Sequence, residues 1–307
     1  MRIAILGAGG VGGYYGARLA AAGEEVHLIA RGAHLAAIRE GGLHLDGHHG
    51  AVHAHPASAT DDPAEIGPVD LVIFAVKLWD TEAAALACRP LMGPRTAVIS
   101  GQNGIAAEEA LARILGPEHV MGGVSFIFAA IEAPGRIRQT GPSHTLIFGE
   151  MDGARSARAE ATAALCRRAG LDHELSTGIE REIWKKFVYL VGLSGVTALT
   201  RCGIGAVRAD PDTRALLEAA MAETAAVGRA RGAPVPDGVV ESRMAVADGL
   251  PPESRSSMLN DLDRGNRLEL PWLGGTVVRL GAELGVDTPV NRFISAALAL
   301  QVMGRPS

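Results

Sequence analysis

The segment that most restricts the fold lies within the first twenty residues. Arg2–Leu6 is a short apolar run that predicts a strand, Gly7-Ala-Gly-Gly-Val-Gly12 fits the pattern GxGxxG, and Gly12–Ala22 predicts a helix. A chain with 39 glycines could match this pattern by chance. A strand before the glycines and a helix after them are, however, the context in which the pattern marks a dinucleotide-binding turn.

Each glycine of this turn has a predicted role. Gly7 permits the tight bend, Gly9 lets the backbone approach a pyrophosphate, and Gly12 lets the helix pack closely against the strand. Gly10 and Val11 lie between them, at the helix N-terminus, whose partial positive charge favours phosphate. We therefore expect the segment from Gly7 to Gly12 to bind a dinucleotide.

The first half of the chain alternates short apolar runs with alanine-rich helical stretches, which is typical of βαβ units. Nearly continuous apolar runs predict parallel strands that are buried on both faces. The predicted strands after the first are Val26–Ala30, Val69–Val76, Thr96–Ile99, Val120–Phe128, Arg136–Thr140 and Thr145–Phe148, and Ala154–Ala169 is a predicted helix. The last two strands, on either side of Gly141-Pro142, are expected to be antiparallel additions.

From about Ser176 the pattern becomes almost entirely helical. The predicted helices begin at proline or small polar residues and end near glycine, as capping favours. They are Ile179–Gly192, Pro211–Arg231, Pro236–Ala247, Pro252–Asp263, Glu269–Leu284 and Val290–Val302. The predicted fold is an α/β Rossmann-type domain, residues 1–177, followed by an all-α domain, residues 178–307.

Composition excludes several classes of function. The net charge of −5 argues against nucleic acid or an anionic membrane surface as the main partner. No apolar run approaches the roughly 20 residues of a membrane span. The three cysteines are scattered, which favours a reducing, cytoplasmic setting. We expect a soluble enzyme or binding protein.

The end of the second strand predicts which dinucleotide binds. A site for NAD usually places an acidic residue there, which binds the ribose 2′-hydroxyl. This chain has Arg31 instead, which could pair with a 2′-phosphate. Lys77 follows the next predicted strand and could add a second positive contact. NADP(H) is therefore the expected cofactor, with a solvated arginine as the alternative reading of Arg31.

Two further groups of polar residues carry weaker signals. Asn103 follows a buried strand and precedes glycine, so its amide could contact both nicotinamide and substrate or could simply form a turn. Five histidines between Gly42 and Pro56 could suggest a metal site. They lie in a segment that reads as a surface hairpin, and we expect no metal there.

Three blocks of sequence together resemble the ketopantoate reductase family, within the larger 6-phosphogluconate-dehydrogenase-like group. They are the N-terminal Gly-Ala-Gly-Gly-Val-Gly, the helix that contains Ile183-Trp-Lys-Lys186, and Ser256-Ser-Met-Leu-Asn-Asp261 running to Leu268-Glu-Leu270. The resemblance covers essentially the whole chain in order and spacing. It implies NADPH-dependent reduction of a 2-keto acid to a 2-hydroxy acid, with 2-dehydropantoate as the leading substrate and pantothenate biosynthesis as the pathway.

The resemblance also implies roles for particular residues. The general acid at the ketone falls on Lys186, whereas Lys185 is expected to be solvated. The substrate-positioning glutamate falls on Glu269, and substrate-binding positions fall on Asn103, Ser194 and Ser257. The cofactor residues fall on the glycine turn, Arg31, Lys77 and Asn103. Chemistry supports a cation at the carbonyl oxygen, because hydride delivery there develops negative charge. A homodimer is also implied.

Three positions depart from the family pattern. Leu190 and Ser194 stand four and eight residues after Lys186, where the family usually has asparagines, and Gly274 stands where it often has another. Loss of these amides removes hydrogen-bond partners for a polar substrate. The sequence therefore does not determine which 2-keto acid is the substrate. The alternatives are a reductase of another branched 2-keto acid, an NAD-linked hydroxyacid or opine-type dehydrogenase, and a protein that binds NADP(H) without catalysis.

Overall fold

The computed structural model describes residues 1–305. The chain divides into two compact units, Met1–Ile179 and a second unit that begins at Glu180. The first unit is built on a sheet and the second is helical. The assignment of cofactor binding to residues 1–177 and of substrate binding and dimerisation to residues 178–307 stays a prediction.

Within residues 1–305, ten strands form one sheet. They are β1 (Arg2–Leu6), β2 (Glu25–Ile29), β3 (Leu43–Asp46), β4 (Val52–Ala54), β5 (Ser58–Thr60), β6 (Leu71–Phe74), β7 (Ala97–Ser100), β8 (Val120–Ala133), β9 (Arg136–Glu150) and β10 (His173–Leu175). Their order is β4-β3-β9-β8-β7-β6-β1-β2-β5, with β10 beside β9. The strands from β5 to β8 in this order are parallel, and β9 is antiparallel to β8.

Helices cover both faces of the sheet, as a parallel sheet requires. They are α1 (Gly10–Ala21), α2 (Gly32–Gly41), α3 (Thr81–Ala87), α4 (Ala107–Leu115) and α5 (Ala157–Arg168). Side chains alternate along β1, so Ile3 and Ile5 enter a core that includes Tyr14 of α1. Ala4 and Leu6 enter a separate core on the other face. Strand β1 is therefore packed against a hydrophobic core on each face of the sheet.

The prediction of two short strands around Gly141-Pro142 was wrong, because β9 runs unbroken from Arg136 to Glu150. The register with β8 shifts between the pairs Ile127↔His144 and Ala129↔Gln139, so the residues between Gln139 and His144 form a bulge. Gly141 has a φ of +138° in that bulge. Pro142 is tolerated there because bulged residues leave the ladder and need not donate a hydrogen bond.

The second unit consists of helices in the described part of the chain. They are α6 (Ile179–Thr200), α7 (Ile204–Ala209), α8 (Pro211–Ala230), α9 (Val239–Gly249), α10 (Ser257–Arg264), α11 (Gly274–Leu284) and α12 (Pro289–Ala297). The predicted class, an α/β Rossmann-type domain followed by an all-α region, is confirmed. No helix among residues 1–305 is both long enough and apolar enough to cross a membrane.

Helix α6 continues eight residues beyond its predicted end at Gly192. A Cβ on Gly192 would lie 2.7 Å from the Met221 side chain of α8, and one on Gly195 would lie 3.2 Å from Ile294 of α12. These glycines therefore allow helices to approach one another and do not end the helix. The sequence pattern could not separate this use of glycine from a C-terminal cap.

Other helix limits also differ from their predictions. The helix expected from Pro252 begins at Ser257, since the Ser256 hydroxyl caps it by accepting a hydrogen bond from the Leu259 backbone N–H at 3.0 Å. The helix expected over Glu269–Leu284 is a short 3₁₀ turn followed by α11. Leu273 separates the two with a φ of −102° and a ψ of −101°.

Candidate functional site

The glycine turn has the shape of a phosphate cradle. Gly7 has a φ of +95°, and a Cβ there would lie 2.9 Å from the backbone of Ala75. A Cβ on Gly12 would lie 2.2 Å from the carbonyl oxygen of Gly7, so α1 and the turn pack without room for a side chain. A Cβ on Gly9 would meet no heavy atom within 4 Å. Backbone with open space beside it is what a pyrophosphate needs.

The first turn of α1 completes the cradle. Gly9 is the N-cap residue of α1 and, as a glycine, has no side chain that could cap the helix N-terminus. Val11, in this first turn, is half-buried, and a Cβ on Gly10 would lie 2.1 Å from the Ala129 carbonyl oxygen of β8. The residues present fit a dinucleotide: a glycine backbone for close approach and a helix dipole for the phosphates.

Arg31 and Lys77 follow the two strands that flank β1. Strand β1 pairs with β2 on one side and with β6 on the other, so the chain reverses its direction of strand addition at β1. Ligands of open α/β sheets bind at the carboxyl ends of strands at such a point. Both side chains are exposed. The Lys77 ammonium lies 5.6 Å from the centre of the Trp79 ring.

Gln102 and Asn103 occupy the carboxyl end of β7. The Gln102 side-chain amide is buried and donates to the Val76 carbonyl oxygen at 3.0 Å and to the Thr81 hydroxyl at 2.8 Å. It therefore ties this loop to the segment that carries Lys77. Asn103 is half-buried beside Gly104, which has a φ of +92°. Sequence reasoning chose Asn103 and missed the positioning role of Gln102.

The two lysines of α6 have different surroundings. Lys185 donates to the Glu182 carboxylate at 2.7 Å, three residues before it on the helix. Lys185, which is expected to be solvated, is 30% exposed and pairs with this neighbouring acid. Lys186 is half-buried and points about 100° away around the helix axis. The pattern Trp-x-Lys selects Lys186 and not Lys185, the lysine that pairs with Glu182.

Lys186, Leu190 and Ser194 lie one turn apart on a single face of α6. The first two are half-buried, whereas Ser194 is fully buried. Its Oγ atom has no hydrogen-bond partner within residues 1–305. A buried hydroxyl without a partner is costly, and such groups often mark functional sites. This face is where the sequence placed the general acid and one substrate contact.

Trp184 anchors this part of α6 to α8. Its side chain is buried, and its ring forms an edge-to-face contact with Phe187 at 5.6 Å between centroids. A Cβ on Gly228 of α8 would lie 2.7 Å from the Trp184 ring. The tryptophan therefore fits against bare backbone, which fixes the rotation of the helix that carries Lys186.

The remaining predicted substrate residues lie at two helix starts. Ser257 is exposed at the first position of α10, whereas Ser256 is buried and bonds to the Thr197 hydroxyl of α6 at 2.7 Å. Glu269 is half-buried, and its carbonyl oxygen accepts from Trp272 N at 3.0 Å. Ser256, which sequence reasoning passed over, is therefore the serine that links α10 to α6.

Gly274 lies beside polar groups of α12. A Cβ on Gly274 would be 3.3 Å from the Ser295 Oγ atom and 3.7 Å from the Asn291 Oδ1 atom. The Ser295 hydroxyl has no partner within the described chain. Gly274, one of the positions at which the sequence departs from the family pattern, therefore borders a second unsatisfied hydroxyl, that of Ser295.

The histidine-rich segment forms the β3–β4 hairpin. His44 and His53 are opposite one another in register, and their rings stack at 3.9 Å between centroids. His49 stacks on His144 of β9 at 3.6 Å. No group of three or more potential ligand side chains among residues 1–305 is arranged to hold a metal ion. These rings contact one another chiefly by stacking.

Comparison with known proteins places the chain in a family. Residues 3–153 match the family model described as ketopantoate reductase PanE/ApbA, and residues 178–301 match the model of its C-terminal part. The chain belongs to the ketopantoate reductase family. It is accordingly an NAD(P)-dependent oxidoreductase.

Individual relatives align over nearly the full length. A 2-dehydropantoate 2-reductase from Mesorhizobium japonicum is 35% identical, with 98% of this chain and 96% of that protein covered. The crystal structure of a PanE/ApbA family ketopantoate reductase from Ralstonia eutropha has a TM-score of 0.90 at 34% identity, with 98% of each chain covered. A ternary structure of D-mandelate dehydrogenase with NADH and anilino(oxo)acetate has a TM-score of 0.89 at 25% identity and the same coverage.

Proposed function

We propose that this protein reduces a branched 2-keto acid to the 2-hydroxy acid with NADPH, and that the keto acid is 2-dehydropantoate. The observation that carries the proposal is the face of α6, where half-buried Lys186 lies one turn from Leu190 and two turns from the unsatisfied hydroxyl of Ser194. The full-length relative that is named a 2-dehydropantoate 2-reductase supports the substrate. Pantothenate biosynthesis is the pathway that this activity would serve.

Lys186 is the proposed general acid. When bound, the nicotinamide supplies the hydride, and the carbonyl oxygen then gains negative charge. A lysine ammonium can stabilise that charge and donate a proton to the oxygen, so that a hydroxyl group results. Glu269 is proposed to orient the substrate, while Ser194, Ser257 and Asn103 are proposed to bind its polar groups. Ser194 can donate its otherwise unpaired hydroxyl.

The adjacent lysines allow a matched test of this role. We expect Lys186→Ala to lower kcat about 10²–10⁴-fold, the range for loss of a positioned general acid. NADPH binding should stay unchanged. Lys185→Ala removes an equal charge and an ion pair with Glu182 but should alter kcat less than about twofold. Equal losses in the two variants would contradict the assignment.

The same test separates catalysis from sensing. A protein that binds NADP(H) without turnover would show no keto-acid reduction in the parent chain and normal NADPH binding in both variants. Steady-state oxidation of NADPH at 340 nm and direct binding of NADPH should be measured on each protein.

NADPH is proposed as the preferred cofactor because Arg31 and Lys77 supply two exposed positive charges at the strand ends beside the glycine turn. We expect Arg31→Ala to raise the Kd for NADPH about tenfold and to leave the Kd for NADH nearly unchanged, since a charge-assisted bond to phosphate is worth about 1.5–3 kcal/mol. Arg39→Ala, which removes an exposed arginine of α2, is the control. Preference for NADH in the parent chain would refute the proposal.

A second candidate substrate is a 2-keto acid with an apolar or aromatic substituent. Leu190 favours it, because leucine offers no hydrogen bond to a hydroxylated acid on the face that carries Lys186. The D-mandelate dehydrogenase relative supports this class. A panel of keto acids that includes ketopantoate and a phenyl-substituted 2-keto acid decides between them. Leu190→Asn should shift kcat/KM toward ketopantoate by about tenfold.

A cytoplasmic location and a homodimer complete the proposal. Cys88, Cys166 and Cys202 are free, and burial raises the pKa of the Cys88 and Cys166 thiols to about 12, so neither is readily oxidised. This suits a reducing compartment. Light scattering coupled to size-exclusion chromatography would test the dimer, with the mass of one chain as the contrary result.

A further inference from the structure

One histidine near the glycine turn holds two distant backbone groups. His34 lies on α2, three residues after Arg31. Its Nε2 atom is 2.9 Å from the carbonyl oxygen of Ala8, and its Nδ1 atom is 3.0 Å from the backbone nitrogen of Gly135. The Gly135 N–H can only donate, so Nδ1 accepts. Nε2 therefore carries the proton and donates to Ala8, which defines one neutral tautomer.

The peptide that His34 contacts lies inside the glycine turn. Ala8 stands between Gly7 and Gly9, and its N–H donates to the Ile29 carbonyl oxygen at the end of β2 at 2.9 Å. The Ala8 residue is thus fixed at its nitrogen by β2 and at its oxygen by His34. Gly9, the open position of the cradle, follows directly. Its backbone orientation depends on how the Ala8 carbonyl is held.

The second contact ties the turn to the β8–β9 hairpin. Gly135 stands between these strands, has a φ of +71°, and accepts at its carbonyl oxygen from His44 N at 2.9 Å. The same hairpin touches the turn at Gly10, where a Cβ would lie 2.1 Å from the Ala129 carbonyl oxygen. Through His34, α2 joins the hairpin to the glycine turn at a second point.

The neutral state that this bridge needs is favoured by its surroundings. Burial lowers the pKa of His34, and the hydrogen bond to Ala8 opposes this only in part. The unprotonated ring keeps an acceptor at Nδ1 for the Gly135 N–H. In a protonated ring, the N–H at Nδ1 would point at the Gly135 N–H, and this hydrogen bond would be lost.

We propose that His34 is a positioning residue of the dinucleotide site: it holds the Ala8 carbonyl so that Gly9 and the N-terminus of α1 are preordered for the phosphates. Glycine-rich backbone is otherwise expensive to order, so a preformed turn binds more tightly. The proposal rests on the cofactor role given above to the glycine turn. It involves no contact of His34 with the reacting atoms.

Three variants separate its two hydrogen bonds. His34→Leu fills similar volume and removes both bonds. His34→Asn keeps an acceptor at the Nδ1 position for Gly135 but cannot reach Ala8. His34→Gln places an amide N–H near the Nε2 position, where it can donate to Ala8, but keeps no acceptor at the Nδ1 position for Gly135. The control is His119→Leu, which removes a ring that bonds the Thr96 carbonyl oxygen at 2.8 Å, away from the turn.

The experiment measures Kd for NADPH and for NADH by nicotinamide fluorescence, together with kcat, both KM values and the apo melting temperature. We expect His34→Leu and His34→Asn to raise both Kd values about tenfold, the effect of one or two lost hydrogen bonds. In these two variants, kcat at saturating cofactor and KM for the keto acid should change less than about twofold. His34→Gln should stay near the parent, and His119→Leu should alter melting without altering Kd.

Three results would overturn the proposal: unchanged Kd in His34→Asn, a Gln variant as weak as Leu, or kcat falling in step with affinity. If Leu fails to fold, the Asn and Gln pair still decides. Because Kd is read without a keto acid, a parent chain that binds NADPH but reduces no keto acid would refute the proposed reaction and leave the His34 test valid.

Discussion

The substitutions Gly9→Ala and Gly12→Ala each add one methyl group to the glycine turn. Together they can separate its role in cofactor binding from its role in folding. An alanine Cβ at Gly9 meets no heavy atom within 4 Å, and the φ of −75° there suits any residue. An alanine Cβ at Gly12 lies 2.2 Å from the Gly7 carbonyl oxygen, about 1.2 Å closer than an ordinary contact of 3.4 Å. Only the second substitution forces backbone to move.

The expected magnitudes follow from these distances. Gly12→Ala should destabilise the fold by about 3 kcal/mol, the upper range for overpacking, and lower the melting temperature by about 6–12 °C. Gly9→Ala should change the free energy of unfolding by less than about 1 kcal/mol, because alanine also restricts the unfolded chain. Its methyl group would occupy the space that a phosphate needs, so the Kd for NADPH should rise about 30-fold, or about 2 kcal/mol.

The assay pairs thermal melting of the apo protein with fluorescence titration of NADPH. Gly23→Ala is a control for Gly9→Ala, since a Cβ there also meets no heavy atom within 4 Å, although its φ of +84° should cost some stability. A Gly9→Ala protein that binds NADPH like the parent would refute the phosphate cradle. A Gly12→Ala protein that melts like the parent would refute the packing argument.

Three further predictions concern stability. Gly228→Ala should cost about 1–3 kcal/mol in chemical denaturation, because the new Cβ would lie 2.7 Å from the rigid Trp184 ring; an unchanged midpoint would contradict this. Glu223→Ala should cost about 2 kcal/mol in the same measurement, because its carboxylate accepts from the backbone N–H groups of Val290 and Asn291 at 2.8 and 2.9 Å; the matched control is the exposed Glu241. Acid should destabilise the first unit, because burial and, after it, the charge of His49 lower the pKa of His144. The unfolded chain then binds this proton at a higher pH than the folded chain does, so stability falls as the pH drops below about 6.5. A melting temperature that stays constant between about pH 5 and 7 would refute this prediction.

Local patterns were sufficient for the parallel core of the fold. β1 was predicted with its observed limits, because a short apolar run before a glycine turn has few alternatives. The errors arose where a residue serves a distant partner. Gly192 looked like a helix end because its neighbour Met221 is 29 residues away in sequence. Pro142 looked like a strand break because the bulge that accommodates it depends on the register with β8.

The same reason explains what sequence reasoning missed at the site. The partners of His34 are a carbonyl oxygen 26 residues before it and an N–H 101 residues after it, and backbone groups carry no sequence signal. Gln102 likewise bonds the carbonyl oxygen of Val76, 26 residues earlier. By contrast, the places of Arg31 and Lys77 after β2 and β6 could be predicted, because strand ends can be located from the apolar pattern; their contact with the cofactor stays a prediction.

The two adjacent lysines of α6 differ in their surroundings, and this difference gives the motif Trp-x-Lys a structural basis. Both have the same charge and adjacent positions, so composition and hydropathy cannot separate them. Trp184 fixes the rotation of the helix against Gly228, and Glu182 pairs with Lys185. Lys186 shares its face with Leu190 and Ser194 because the three residues are spaced four apart along α6. Leu190, one turn from Lys186, offers no hydrogen bond to the hydroxyl group of 2-dehydropantoate. Leu190→Asn is therefore the substitution on which the choice between 2-dehydropantoate and a more apolar 2-keto acid depends most directly.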